Sequence, residues 1–264
     1  MKTYQVGGSV RDELLGVEPH DKDWVVVGSS PEKMIEAGFK PIGKDFPVFL
    51  HPDTKEEYAL ARTERKSGKG YHGFKFYYDP SVTLEDDLLR RDLTINAIAK
   101  DNQGRLIDPF NGQDDLFNKK LRNVSNAFCE DPLRAIRLGR FLSYKHISDF
   151  SITPQLKAIV KKILDSGELN YLSGDRVFAE IDKAMQNHFP EKFFNFVVEN
   201  KLDKPWLKDI NSLDGFSATS SDLRWVELSC LNHFNDFDQI PLPSKIKKLI
   251  SLAKQLANIE IDNI

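Results

Sequence analysis

A chain of 264 residues and 30.2 kDa is long enough for two or three compact units rather than one. Its net charge of −3 and pI near 6.1 exclude a global field that would draw in nucleic acid, so any RNA contact has to come from local basic patches. Cys129 and Cys230 are too few for a disulfide framework or a zinc site, and no apolar run reaches the about 18 residues of a membrane span; with a strand beginning almost at Met1, no leader peptide and a soluble cytoplasmic location are expected.

Residues 4–6 read as a short strand that runs into Gly7-Gly8, where the missing side chains let the backbone approach an anion closely. Residues 9–15 then read as the opening of a helix, whose N-terminus favours negative charge. Asp21 and Asp23 stand two apart at the head of the β-branched run Trp24-Val25-Val26-Val27, and a strand there would turn both carboxylates to one face. Magnesium takes oxygen ligands, commonly one or two carboxylates plus the phosphates of a substrate. A lone Gly-Gly is usually a tight turn, and a lone Asp-x-Asp is usually a solvated pair. The order strand, glycine turn, helix, acid pair, strand points instead to metal-assisted nucleotidyl transfer.

Residues 31–37 read as a short helix, and Val48–Leu50 and 58–61 as strands, which makes a mixed α/β head through about residue 115. Residues 63–73 are charged, rich in glycine and without apolar periodicity, so a mobile loop or a hairpin connection is expected there. Over 84–99 the apolar residues fall at helical spacing, which predicts one amphipathic helix. Within it, Arg90 and Arg91 followed by Asp92 form either a solvated face or a guanidinium fork for phosphate or ribose. The strand-like 106–109 and the turn Asn111-Gly112 close the head.

From about Ala127 the pattern is helical. Residues 130–141 predict a helix with acids in its first turn and Pro132 near its start. On it Glu130, Arg134 and Arg137 would share a face, flanked by Asp131 and Arg140; the row is either an ion-paired surface or a base-reading one. Further helices are expected from Asp175, after the turn Ser173-Gly174, and over 223–228 and 246–256.

These residues resemble the class II tRNA nucleotidyltransferases, the CCA-adding enzymes of the polymerase-β superfamily, and most of all the enterobacterial form. The resemblance is colinear from near Met1 to about residue 200. It is carried by Gly7-Gly8-x-Val10-Arg11-Asp12, Asp21-x-Asp23, Ala61-Arg62-Thr63-Glu64-Arg65-Lys66, Arg90-Arg91-Asp92-Leu93-Thr94-Ile95-Asn96, Glu130-Asp131-x-x-Arg134 and Arg176-Val177-x-x-Glu180. It implies an α+β fold: a polymerase-β-like head with a mixed or antiparallel sheet over 1–125, an all-α neck over 126–200, and a shortened helical body and tail over 201–264 that contacts tRNA. The family's shape is curved.

The resemblance further implies that Asp21 and Asp23 bind Mg2+, that Gly8 and Arg11 hold the triphosphate, and that Arg91 with Asp92 contacts ribose and phosphate. By the same resemblance Arg137 and Arg140 would be further nucleotide contacts, and Asp131 with Arg134 would serve as a protein template for the base edge of CTP or ATP. A carboxylate accepts from the exocyclic amine that both bases carry, while a guanidinium donates to a ring nitrogen or carbonyl. Glu57, on the strand before the loop, is the candidate third acid, with Glu56 on the opposite face. The implied reaction is attack of a tRNA 3′ hydroxyl on the α-phosphate of CTP or ATP with release of pyrophosphate. The loop over 64–83 resembles the family's element for switching from C to A.

Enterobacterial relatives continue into a histidine-aspartate phosphohydrolase domain. Here His233 is the one histidine beyond residue 200, so that second activity is not expected. Lys245, Lys247 and Lys248 form either a tRNA phosphate contact or a solvated helix end. A CC-adding or A-adding enzyme, a poly(A) polymerase, and an inert RNA-binding remnant stay open as alternatives, as do monomer and homodimer.

Overall fold

In the computed structural model, which describes residues 1–42, 48–66, 74–207, 210, 213–231, 237 and 239–261, the chain has an α+β fold that begins with the expected strand and glycine turn. Strand β1 (Lys2–Val6) leads through Gly7 into helix α1 (Gly8–Leu14), and β2 (Asp23–Val27) returns antiparallel to β1. Helix α2 (Pro31–Glu36), capped by the Ser30 side chain, is followed by β3 (Lys40–Pro41), β4 (Val48–Leu50) and β5 (Glu57–Leu60). After β6 (Thr63–Lys66), β7 (Phe74–Tyr77) and α3 (Leu84–Leu89) come β8 (Ala99–Asp101) and β9 (Leu106–Ile107).

These strands build a seven-stranded mixed sheet of order β3-β4-β5-β2-β1-β8-β9. In it β1 is antiparallel to both neighbours, whereas β2 and β5 run parallel. Both faces are covered, which explains why β2 is apolar without a break after Asp23. Val25 joins Val6, Leu88, Ala97 and Ala99 on one side, while Val26 joins Met34, Phe49, Tyr58 and Leu60 on the other. The head continues with α4 (Gly112–Phe117) and β10 (Lys120–Leu121), which pairs with the distant β11 (Ser151–Ile152).

Three expectations need correction. Thr63–Lys66 is no loop but strand β6, paired antiparallel with β7 in a two-stranded ribbon, in keeping with the hairpin alternative, because Phe74-Lys75-Phe76-Tyr77 supplies a β-favouring partner. Residues 67–73 of the expected loop lie outside the described residues. The predicted helix over 84–99 stops at Leu89, with a capping box at Thr83 and Asp86 opening it. Beyond it Leu93 is extended, its N–H taken by the Asp92 carboxylate at 2.8 Å, and the chain bonds to the strand-like 122–124 through Thr94 N to Arg122 O and Val124 N to Asp92 O. Leu93, Ile95, Ala97, Ile98 and Ala99 are all buried, so their spacing marks a segment enclosed on every side rather than one helical face. The helix expected from Glu130 is likewise shorter. Asn126–Glu130 is a 3-10 turn, Asp131 is extended because the ring of Pro132 disfavours helical backbone before it, and α5 (Leu133–Ser143) starts after the proline. Glu130 therefore does not share a helical face with Arg134 and Arg137.

The chain divides into two compact units, Met1–Asp131 with Phe150–Ile159, and Pro132–Asp149 with Val160–Ile264. In the second, α5 packs against α7 (Gly174–Gln186) and α8 (Pro190–Glu199). Gly139 makes the approach to α8 possible, since a Cβ there would lie 2.9 Å from a Phe196 ring carbon and 3.2 Å from one of Phe193. Helix α6 (Pro154–Asp165) crosses the division in sequence, and α9 (Ser221–Leu231) packs on α10 (Ser244–Ile261). From α9, Arg224 donates to the carbonyls of Met185 and Asn187 at the end of α7 and to that of Ala218, and Trp225 donates to Asp182 of α7. No described helix is long and apolar enough to cross a membrane.

Candidate active site

The glycine turn and the head of β2 meet because of sheet register. Val6, the last residue of β1, pairs with Asp23, the first of β2. Gly7 adopts φ 75° and ψ −140°, a conformation that strongly favours glycine. A Cβ on it would lie 3.1 Å from Arg91 Nη1 and 3.9 Å from Asp23 Oδ2, so one turn carries an acid and a guanidinium at its shoulder. Gly8 starts α1, and a Cβ there would lie 3.3 Å from Arg11 Nη2.

Glu57 opens β5 in register with Asp23 on the adjacent parallel strand. Parallel partners project to one face of a sheet, so Glu57 and Asp23 share a face, and Glu57 is exposed. Its neighbour Glu56 accepts from Trp24 Nε1 at 3.1 Å, and Trp24 stacks on Tyr58 with centroids 5.4 Å apart. Asp21 is placed differently from the sequence expectation. Strand β2 begins only at Asp23, so strand alternation does not govern Asp21, which lies in a bend with its side chain 88% exposed and 3.1 Å from His20 Nδ1.

The charged run after α3 is buried far more than its composition suggests. Asp87 is fully enclosed. Its Oδ1 accepts from Arg90 Nη2 at 2.8 Å, Arg90 Nε at 3.1 Å and the Arg62 backbone N–H at 3.3 Å, while its Oδ2 accepts from Arg91 Nη2 at 3.1 Å. Burial raises the Asp87 carboxyl, but the Arg90 and Arg91 charges and the Arg90 hydrogen bond outweigh it and hold the group below the usual aspartate value. Arg91 Nε is buried and has no hydrogen-bond partner, and its Nη1 reaches the Asn96 carbonyl only at 3.5 Å.

Arg11 is also buried. It donates to Asn96 Oδ1 at 2.7 Å and to Asp12 at 2.8 Å, and Asn96 in turn donates to Asp92 Oδ1 at 2.9 Å. Asp92 therefore stands behind Arg11 in a chain of hydrogen bonds. Sequence reasoning did not single out Asn96 or Asp87 as site residues. Asn96 carried a signal, being a member of a quoted motif, whereas Asp87 is one acid among several in Glu85-Asp86-Asp87.

In the second unit, Arg140 of α5 is buried, with its Nε 2.5 Å from Glu180 Oε2 of α7 and its Nη1 2.6 Å from the Tyr144 hydroxyl. Arg137 is 39% exposed and lies 3.7 Å from the other Glu180 oxygen, with its guanidinium carbon 5.4 Å from the Phe141 ring centre. Arg134 is half-buried in the first turn of the same helix, and Asp131 ends the first unit. Lys245 pairs with Asp222, and His233 lies outside the described residues.

Among the described residues no three His, Cys, Asp or Glu side chains form a ready metal cluster. Asp23 beside a glycine turn, with Glu57 in register, nonetheless suits magnesium, which needs few protein carboxylates when phosphate oxygens complete its shell.

Comparison with known proteins bears on the family and the fold. A family model described as the Poly A polymerase head domain matches residues 3–122. The multifunctional CCA protein of Teredinibacter turnerae is 51% identical over 215 residues, covering 81% of this chain and 52% of that protein. That of Aliivibrio salmonicida is 53% identical over 215 residues, covering 81% and 53%. The chain thus spans about half the length of the curated relatives it matches. The Bacillus stearothermophilus CCA-adding enzyme, solved in complex with CTP, has the same fold, with a TM-score of 0.80 at 24% identity over 97% of this chain and 66% of that one. With its head matched by that domain and more than half of its aligned residues identical to these proteins, the chain belongs to the family of bacterial CCA-adding enzymes.

Proposed function

We propose that this protein adds the terminal C, C and A to the 3′ end of tRNA from CTP and ATP, without a nucleic-acid template, and that it works in the cytoplasm. The observation that carries the reading is the meeting of Asp23, Arg91 and the Gly7 turn at one shoulder of the sheet, in a chain 51% identical to a multifunctional CCA protein. Residues 1–125 would act as the catalytic head, 126–200 as a neck that reads the nucleotide, and 201–264 as a tRNA-contacting body and tail.

The side chains divide the work. The Gly7-Gly8 turn lets the triphosphate approach the backbone, and Arg11, held by Asn96, neutralises part of its charge. Arg91 donates to ribose and phosphate, and Asp92 keeps Asn96 in place behind Arg11. Asp21 and Asp23 would hold Mg2+, with Glu57 as the third acid on the same sheet face as Asp23. When bound, that ion supplies Lewis-acid stabilisation of charge on the attacking and leaving oxygens. The tRNA 3′ oxygen forms its bond to the α-phosphorus as the bond to pyrophosphate breaks, and the hydroxyl proton passes to water. Asp131 and Arg134 read the base edge through one acceptor and one forked donor, which cytosine and adenine can both satisfy. Arg137 and Arg140 complete the nucleotide contacts, with Arg140 acting from its pair with Glu180.

The test is extension of tRNAs that end before the CCA, after one C, and after two, with magnesium and with CTP and ATP separately and together. Addition of C, C and A that then stops supports the proposal. C-only or A-only products would make it a partial enzyme, a long A tail a poly(A) polymerase, and no product with RNA still bound an inert remnant.

A further inference from the structure

Asp87 is enclosed, belongs to none of the roles above, and joins two parts of the first unit. Its Oδ2 holds Arg91 Nη2 at 3.1 Å, and the same guanidinium reaches, through Nη1, the space that a Cβ on Gly7 would occupy at 3.1 Å. Its Oδ1 grips the chain where the β6–β7 ribbon leaves the sheet, accepting from the Arg62 N–H at 3.3 Å, while Arg90, itself bound to Oδ1, donates from Nε to the Arg62 carbonyl at 3.1 Å. Both polar groups of that one peptide residue are thus fixed by the Asp87–Arg90 pair. A carboxylate at full burial would be expensive to keep without these partners, and a packing role alone would be met by an apolar residue of similar size. Arg91 meanwhile makes only a long bond from Nη1, the end of its guanidinium beside Gly7, so that donor group is left to a ligand at the glycine turn.

We infer that Asp87 is a positioning residue for nucleotide binding: one carboxylate oxygen aims Arg91 at the triphosphate and ribose beside Gly7, and the other anchors the root of the β6–β7 ribbon, so that both are set by a single buried group. The inference rests on the nucleotide reading given above. It adds to that reading a residue that does not itself touch substrate, and a mechanical link between the ribbon's base and the guanidinium.

The test is a double-mutant cycle on the full chain, reading the equilibrium affinity for CTP and for ATP in magnesium, with folding checked by circular dichroism. Asp87→Asn keeps the shape and removes the charge, and its affinity should be about tenfold weaker for both nucleotides, the size of one charge-assisted contact. In an Arg91→Ala background the same change should alter affinity by less than about twofold, because the group through which it acts is gone. A purely structural role would cost the same factor in both backgrounds, and that result overturns the inference, as does wild-type affinity in Asp87→Asn. If Asp87→Asn does not fold, Asp87→Glu keeps the charge but displaces Arg91 by a methylene. It should then weaken binding several-fold, and unchanged affinity would overturn the inference. Absence of CTP and ATP binding by the wild-type chain would instead sink the nucleotide reading itself, and the inference with it.

Discussion

Replacing Gly7 by alanine tests the geometry of the site most directly, because its cost has two separable parts. At φ 75° and ψ −140° the backbone alone penalises any residue with a Cβ by about 1–3 kcal/mol. The steric part is smaller. The new Cβ meets Arg91 Nη1 at 3.1 Å, and relief takes a shift of a few tenths of an ångström at the end of a long side chain. That end is held by Asp87, however, so the shift is felt at the guanidinium that faces the nucleotide. Gly7→Ala should therefore lose about 2 kcal/mol in urea unfolding and weaken CTP and ATP binding as well. Gly8→Ala is the control. Gly8 starts α1 without a positive φ, and its Cβ would meet Arg11 Nη2 at 3.3 Å. Arg11 is buried and fastened to Asn96, so this variant should change stability by less than about 1 kcal/mol while still weakening nucleotide binding. Equal stability losses for the two variants, or a Gly7→Ala protein as stable as wild type, would refute the assignment of the cost to backbone conformation at Gly7.

Glu180→Ala strips the partner from Arg140, both side chains being 7% exposed, and should destabilise the second unit by about 3–5 kcal/mol in urea titration; a loss under about 1 kcal/mol would mean that the pair is solvated. The Asp87 carboxyl is held below its ordinary value, so its contribution is complete above the unfolded value near about 4 and is lost as pH falls through the folded one. The stability gap between wild type and Asp87→Asn should accordingly narrow as unfolding is measured from about pH 5 downward, and a gap that widens would contradict the ion-pair account. Chelation by EDTA should abolish nucleotide addition and leave the melting temperature unchanged, since Asp21 is 88% exposed and supports no packing. Addition that persists after chelation would remove magnesium from the proposal.

Much of the head was legible in residue order, and the family resemblance was borne out by the matches. Tyr4 to Val6, Gly7 and the β-branched run after Asp23 signal their conformations locally, through side-chain branching and through the one residue type suited to the turn. What stayed hidden depends on partners distant in sequence. The acids of Glu85-Asp86-Asp87 look alike in the chain, yet Asp86 caps a helix at the surface while Asp87 is buried among three arginines. Residues 93–99 imitate helical periodicity because burial on all sides also yields closely spaced apolar residues. Glu57 could be suggested by position, but its alignment with Asp23 follows from the one parallel pairing among the six of the seven-stranded sheet, which no local pattern announces. Pro132 signals the opening of α5, but its effect on the backbone of Asp131, which leaves Glu130 in a separate 3-10 turn, is not visible in the acidic composition of that segment.

The three carbonyls that converge on Arg224 bear on where the protein can be cut. Met185 and Asn187 belong to the end of α7, the helix whose Glu180 fastens Arg140, whereas the guanidinium comes from α9, more than thirty residues downstream in sequence. A fragment ending before Ser221 would leave the terminal carbonyls of α7 to water and take away the Trp225 indole that binds Asp182 one turn earlier. Residues 201–264 are thus no detachable appendage: α9 serves as a stopper for α7, and fraying that starts at its removal would spread toward the arginines of α5. An expression boundary placed between these helices would uncover the end of α7, and one placed before Pro132 would strip β11, the partner of β10, from the first unit.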